Sequence, residues 1–261
     1  IIIIFLLFVT LKSFGVPTEA EQLGKQFLKA QNAKDHTKFH TIMDNAIQKY
    51  RGNKQQFNAF LDVRDGYGCT SLLRAAALRD TSDMVFIFEK LEKYYGVRNE
   101  ATTLDIFSFI NAQCLQGHTA FYLLAQNASR DEVDIVLYHI IRLIGNQKIL
   151  FLEFLNARVY ADKWTILHWL AYQGDIRVLE VVVLAAEKVL GRNSELFNKF
   201  INAEAEDGST PLDNTYFNAR HRKFLQDHGA VSLRAPDPKV TRARQMGLEL
   251  SDAIRANQFN V

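Results

Sequence analysis

Four threonines keep a register along this chain. Thr70, Thr119, Thr165 and Thr210 lie 49, 46 and 45 residues apart, each at the end of a turn-like stretch that runs into an apolar segment. The fullest copy is Glu206-Asp207-Gly208-Ser209-Thr210-Pro211-Leu212-Asp213. Gly208 suits a turn residue with positive φ. The Thr210 hydroxyl suits a helix N-cap, Pro211 a first helical position that needs no N–H, and Leu212 the first inward side chain. Residues 65–72, 115–121 and 162–168 repeat the pattern in degraded form. A chain with such a period is a repeat protein, in which each unit buries its apolar face against its neighbours.

A second signature precedes each turn: Phe57-x-x-Phe60-Leu61-Asp62, Ile106-x-x-Phe109-Ile110-Asn111, Phe151-x-x-Phe154-Leu155-Asn156 and Phe197-x-x-Phe200-Ile201-Asn202. From the Asp or Asn to the threonine is 8 residues in three units and 9 in the third, so the third turn carries one extra residue. Between these marks the units share a plan. A short helix with small residues (Ala75 and Ala76, Ala125, Ala171) allows a neighbouring helix to come close. A second helix, apolar nearly all round (Met84 to Leu91, Val133 to Ile141, Ile176 to Leu184), suits an element covered on several sides. The Phe segment then forms a third, short helix and absorbs much of the chain's 19 phenylalanines. Upstream, Glu19 to Ala33 and His36 to Tyr50 read as two amphipathic helices, the second with Phe39, Met43, Ala46, Ile47 and Tyr50 at helical spacing. They are expected to be an N-terminal cap or degenerate repeat over 16–56, with Lys25, Lys29, Lys34, Lys38 and Lys49 on its polar face.

At these residues the chain resembles the ankyrin repeat family. Asp207-Gly208-Ser209-Thr210-Pro211-Leu212, Thr165-Ile166-Leu167-His168 with Ala171 and Gly174, and the closing Phe224-Leu225-Gln226-Asp227-His228-Gly229-Ala230 match that family's turn, helix start and repeat end. The likeness covers about 57–230. Units one and two lack the family's Pro and His, and the period exceeds the family's roughly 33 residues. A lengthened second helix and the added Phe helix account for the excess. The resemblance implies an all-α, ankyrin-like helical solenoid with short hairpin loops and one extra short helix per repeat. It further implies a protein-binding scaffold whose contacts come from hairpin tips and first helices. Carried over by register, those positions include Arg64, Tyr67, Gln113, Gln116, His118, Trp164, Tyr172, Gln173, Phe217 and Asn218, with Tyr160 in the extended turn; Gln126, Asn127 and Asp207 share the surface. Tyr67, Tyr160, Trp164 and Tyr172 form the favoured patch, because aromatic side chains dominate interface energetics. Trp164 and Tyr160 have an alternative use, packing on the adjacent hairpin.

Other classes find less support. Thirty-one basic against 29 acidic residues leave a formal charge of +2, too even for a nucleic-acid or acidic-membrane surface. Cys69 and Cys114 make no metal-type cluster and are expected as unpaired thiols. His36 and His40, with Asp44 a turn further, present either two imidazoles and a carboxylate for a metal or plain solvated helix surface, and the latter is expected. His168 is read as a structural imidazole bridging turn and helix. No catalytic motif is present, so the chain is expected to be non-enzymatic, with no metal, no cofactor, no small-molecule substrate and no nucleic acid. Its partner is expected to be a protein of unspecified identity, and the chain itself a monomer.

The ends carry separate expectations. Residues 1–9 form an uncharged apolar run that Lys12 closes, with Ser13 and Gly15 placed for cleavage after Gly15. A truncated signal peptide over 1–15, a membrane anchor, and an apolar cap of the fold all fit it. The first makes the chain secreted or exported, an effector acting on a host protein being the second functional reading; a cytoplasmic chain is the alternative. Residues 231–261 read as a C-terminal capping helix from about Val240 to Asn257, or as a flexible peptide carrying Arg234, Lys239, Arg242 and Arg244.

Overall fold

In the computed structural model the described residues are 17–96, 99–145, 147–159, 162–215 and 218–233. They contain 13 helices and no strand, and the chain is all-α. The apolar run at 1–9, Tyr160, Phe217 and the basic tail from Arg234 onward lie outside them. The chain divides into two compact units, residues 1–115 and 116–261.

In the first unit, α1 (Glu19–Asn32), α2 (His36–Lys49) and α3 (Lys54–Leu61) are followed by α4 (Ser71–Ala77), α5 (Thr81–Tyr95) and α6 (Glu100–Ile110). Like packs on like: α1 against α4, α2 against α5 and α3 against α6. The segment expected as a cap or degenerate repeat has, with the first Phe helix, α3, closing it, the same three-helix plan as the repeats that follow it. The fit depends on small residues in the first helix. A Cβ on Gly24 of α1 would stand 2.5 Å from the Phe60 carbonyl oxygen and 2.5 Å from Val63 Cγ2, so only a hydrogen there lets α1 and α3 approach this closely. Phe27 stacks on Phe39 at 4.1 Å and meets Phe60 at 5.2 Å, which joins the three helices in one aromatic core.

The second unit repeats this arrangement with α7 (Ala120–Asn127), α8 (Arg130–Ile144), α9 (Lys148–Leu155), α10 (Ile166–Gln173), α11 (Ile176–Leu190) and α12 (Glu195–Ile201), and ends on α13 (Ala219–Asp227). Again α7 packs on α10, α8 on α11 and α9 on α12. The paired phenylalanines of the third helices are buried: Phe57 and Phe60, Phe151 and Phe154, Phe197 and Phe200 are all within 2% of full burial. The second helices are 15 residues each in the three threonine-marked repeats that carry one. They are not covered all round, since Ile135 and Tyr138 of α8 and Leu184 of α11 stand about half exposed.

The threonine register has the expected mechanical meaning in three copies. Thr70, Thr119 and Thr165 are the N-caps of α4, α7 and α10. The fourth copy departs from expectation. After Thr210, residues 211–214 form only successive turns, with Asp213 N–H, Asn214 N–H and Thr215 N–H donating three residues back. The Asp213 carboxylate instead accepts from the Thr210 N–H and hydroxyl at 2.8 and 3.0 Å, and is also bonded by Ser232. The Thr210 hydroxyl faces Asp213 and the Val231 carbonyl rather than a helical amide, and no helix begins at this threonine.

Candidate functional site

The hairpin tips are built from backbone. In the first, Asp65 N–H donates to the Cys69 carbonyl and Gly68 N–H to the Asp65 carbonyl, each at 3.0 Å, while Asp65 Oδ1 accepts from the amides of Tyr67 and Cys69. In the fourth, Ala205 N–H donates to Ser209 and Gly208 N–H to Ala205. The third hairpin closes between Val159 and Trp164 at 3.1 Å, a separation one residue longer, which is the insertion read from the sequence. Two residues before each threonine the backbone is left-handed: φ is 73° at Gly68, 81° at Gly117, 57° at Lys163 and 74° at Gly208. Three of the four are glycine, the residue that takes this conformation without a Cβ clash.

Successive tips are then bonded to each other. Leu115 N–H donates to the Tyr67 carbonyl at 3.2 Å in the first unit, and Glu206 N–H donates to the Asp162 carbonyl at 3.1 Å in the second. The register is the same in both: the acceptor is three residues before its threonine, the donor four before the next. The side chains at those positions are unrelated. Tyr67 and Leu115 are 73% and 72% exposed, whereas Asp162 and Glu206 are exposed acids. Leu115 had no place among the residues expected from sequence, because an apolar side chain beside Gln-Gly carries no signal of exposure until the turn places it at a tip.

The remaining expected residues sort by what they touch. Arg64 is committed to backbone, its guanidinium donating to the carbonyls of Gly68 and Gln113 at 3.1 and 2.6 Å and to Asp62 at 3.1 Å. Gln113 is half-buried and supplies one of those carbonyls; Gln116 and Gln173 are exposed. Asn218 caps α13 through its side chain. Trp164 is half-buried and packs on its own first helix, 6.1 Å from His168 and edge-to-face with Tyr172 at 5.6 Å. Tyr172 remains 44% exposed. His118 stacks on Tyr122 at 5.1 Å, and burial lowers its pKa against the opposing pull of the Asp162 charge. His118, Trp164 and Tyr172 therefore belong to one unit and Tyr67 and Leu115 to the other.

His168 is fully buried and bridges turn and helix as expected, but it also reaches the next repeat. Its Nδ1 accepts from the Thr165 N–H at 3.2 Å, and Nε2–H donates to the Ser209 carbonyl at 3.1 Å. Burial holds its pKa below the ordinary 6.5, and the neutral tautomer is the one that satisfies both partners. His40 and Asp44 are used for packing: His40 stacks on Phe86 at 3.7 Å and Asp44 pairs with Lys90 at 2.5 Å. Both cysteines are free and buried.

The chain matches no protein-family model and no curated protein. Among the described residues no helix is long and apolar enough to cross a membrane.

Proposed function

We propose that the chain is a divergent ankyrin-type repeat protein, non-enzymatic, that binds a protein partner through its hairpin tips. One observation carries the reading. The same backbone hydrogen bond joins Tyr67 to Leu115 and Asp162 to Glu206, so the tips are held together whatever side chains they bear. Leu115 lies over Gly68 of the preceding turn, yet it and Tyr67 leave most of their surface in solvent, and large exposed apolar groups on neighbouring tips are a feature of interaction surfaces. Tyr172, with Trp164 buttressed behind it, offers a comparable aromatic edge in the other unit. Export to act on a host protein rests on residues 1–9 and is carried as part of the proposal; secretion of a tagged full-length reading frame from its own cell tests it, and cytoplasmic retention refutes it.

The binding assignment is tested by photo-crosslinking. A crosslinking amino acid at position 67 is expected to capture a discrete partner, and one at the half-exposed Leu104 in the same unit is not. Replacing Tyr67, Leu115, Trp164 and Tyr172 by Ala should abolish capture while the helical circular dichroism persists. Equal capture from positions 67 and 104, or capture unaffected by the replacements, overturns it.

A further inference from the structure

A cluster in the first unit is used by neither the hairpins nor the tips. Asp83, on the first turn of α5, is 3% exposed. Its Oδ1 lies 3.2 Å from Nδ1 of His36, at the start of α2, and its Oδ2 accepts from Nε2 of Gln31, near the end of α1, at 3.3 Å. Asp80, the N-cap of α5, brings a second carboxylate: one donor atom from each of His36, Asp80 and Asp83 fits within 4.8 Å. Two acids thus share one small volume, one of them buried.

Gln31 adds an independent observation. The residue is 3% exposed, its amide nitrogen already touches the Asp83 carboxylate, and its buried Oε1 has no hydrogen-bond partner. A buried amide oxygen without a donor is unfavourable by about 1–3 kcal/mol. Rotating the amide by half a turn exchanges oxygen for nitrogen at nearly the same positions. That places Oε1 against the carboxylate, an arrangement that becomes favourable when a cation stands between them.

We propose that Gln31, His36, Asp80 and Asp83 form a binding site for a divalent transition-metal ion of the zinc type. The donor set is one imidazole nitrogen, two carboxylate oxygens and one amide oxygen, four ligands in all, as a closed structural site has. Metal–ligand bonds of about 2.0–2.2 Å hold tetrahedral donors about 3.5 Å apart; the His36–Asp83 separation is already near that, and Asp80, only partly buried, has to close the remaining gap. The imidazole favours a zinc-like ion over magnesium or calcium, which prefer all-oxygen sets. Burial and the Asp80 charge raise the Asp83 carboxyl above its ordinary value, and a bound cation would relieve both effects. Lys34 also acts on Asp80, but its ammonium sits on an exposed residue of the α1–α2 turn and can swing aside. The ion would clamp α1 and α2 to α5, that is, one repeat to the next.

The competing account is that the His36 and Gln31 hydrogen bonds alone satisfy Asp83. Untagged full-length protein, freed of metal by chelator and dialysed, is titrated with Zn²⁺ and, for its absorption bands, with Co²⁺. The expected result is one ion per chain, visible Co²⁺ absorption, a raised melting temperature with Zn²⁺ but not with Mg²⁺, and proton release on binding. His36→Ala, at an exposed position, should fold normally and weaken Zn²⁺ binding by more than about 100-fold, with Gln31→Leu weakening it about 10–100-fold. No stoichiometric binding up to about 1 mM Zn²⁺, binding unchanged in His36→Ala, or an equal response to Mg²⁺ overturns the proposal.

Discussion

The guanidinium of Arg64 donates to the main-chain carbonyl of Gln113, one repeat later, at 2.6 Å, and Arg158 does the same to Glu204 at 2.6 Å. The two arginines belong to different units and different hairpins, yet each reaches the residue six before the next threonine. Charge-assisted bonds to a carbonyl are among the stronger ones, and here each spans the junction between consecutive hairpins. Arg64→Ala or Arg158→Ala should lower stability by about 1 kcal/mol, toward the low end of the range because the Arg64 side chain is 38% exposed. Lys should recover only part of the loss, since Arg64 bonds two carbonyls and a carboxylate from one planar fork. Urea midpoints of the variants check this.

Lys163 holds a left-handed backbone where the equivalent positions carry glycine. A Cβ in that region is unfavourable by about 1–2 kcal/mol, partly offset by the greater freedom glycine has when unfolded. Lys163→Gly is therefore expected to stabilise the protein by about 0.5–1 kcal/mol, read as a higher urea midpoint with unchanged slope.

His168 should make the protein acid-sensitive. Its pKa is depressed in the folded state, chiefly by burial, so the unfolded chain takes up the proton first as pH falls through 6.5. The stability it contributes is full above that value and declines below it; His118 and His221 shift in the same direction for the same reason. The urea midpoint should fall between about pH 7.5 and about pH 5.5. His168→Leu should lose about 2–4 kcal/mol at the higher pH, because it strands the Thr165 N–H and the Ser209 carbonyl, and should show a flatter pH dependence.

Gly24→Ala should destabilise by about 1–3 kcal/mol. The added methyl meets a backbone carbonyl at 2.5 Å, and a carbonyl cannot rotate away as the end of a long side chain can. The melting temperature measures the loss, and Gly66→Ala, where a Cβ meets nothing within 4 Å, serves as control.

Cys69 is 7% exposed, and its thiol is pushed up to about 11 by burial, with the Asp65 charge and Cys114 adding to it. At about pH 8 the native protein should leave Cys69 unmodified by a thiol-alkylating reagent, and denaturant should release it, because only the thiolate reacts. Mass spectrometry of the peptide carrying Cys69 reads the outcome.

The repeat plan was legible in the sequence because its determinants are local. A threonine that caps the turn of helix it precedes, a residue that accepts positive φ two positions earlier, and an apolar-x-x-Phe segment at helical spacing all act within a few residues, so composition and spacing report them directly. That is why the three caps, the inserted residue of the third hairpin and the third helix of each repeat could be read, and why α1 and α2, without the threonine mark, were read as a cap or degenerate repeat apart from the Phe helix α3 that completes their unit. The fourth threonine shows the limit of such reading: it has the best local sequence, but Asp213 is drawn to Ser232 and Thr210, and the chain turns instead of continuing as a helix. What only the tertiary structure decided lies between residues far apart in sequence. Exposure of Leu115, the reach of Arg64 to Gln113 and of His168 to Ser209, and the meeting of Gln31 and His36 with Asp80 and Asp83 all depend on how one repeat lies on the next. His36 was expected on solvated helix surface, with a face shared with His40 and Asp44 as the alternative. It pairs across to Asp83 because a side chain at a helix start faces the helix packed beside it as readily as the turn that follows, and packing, not spacing, chooses between them.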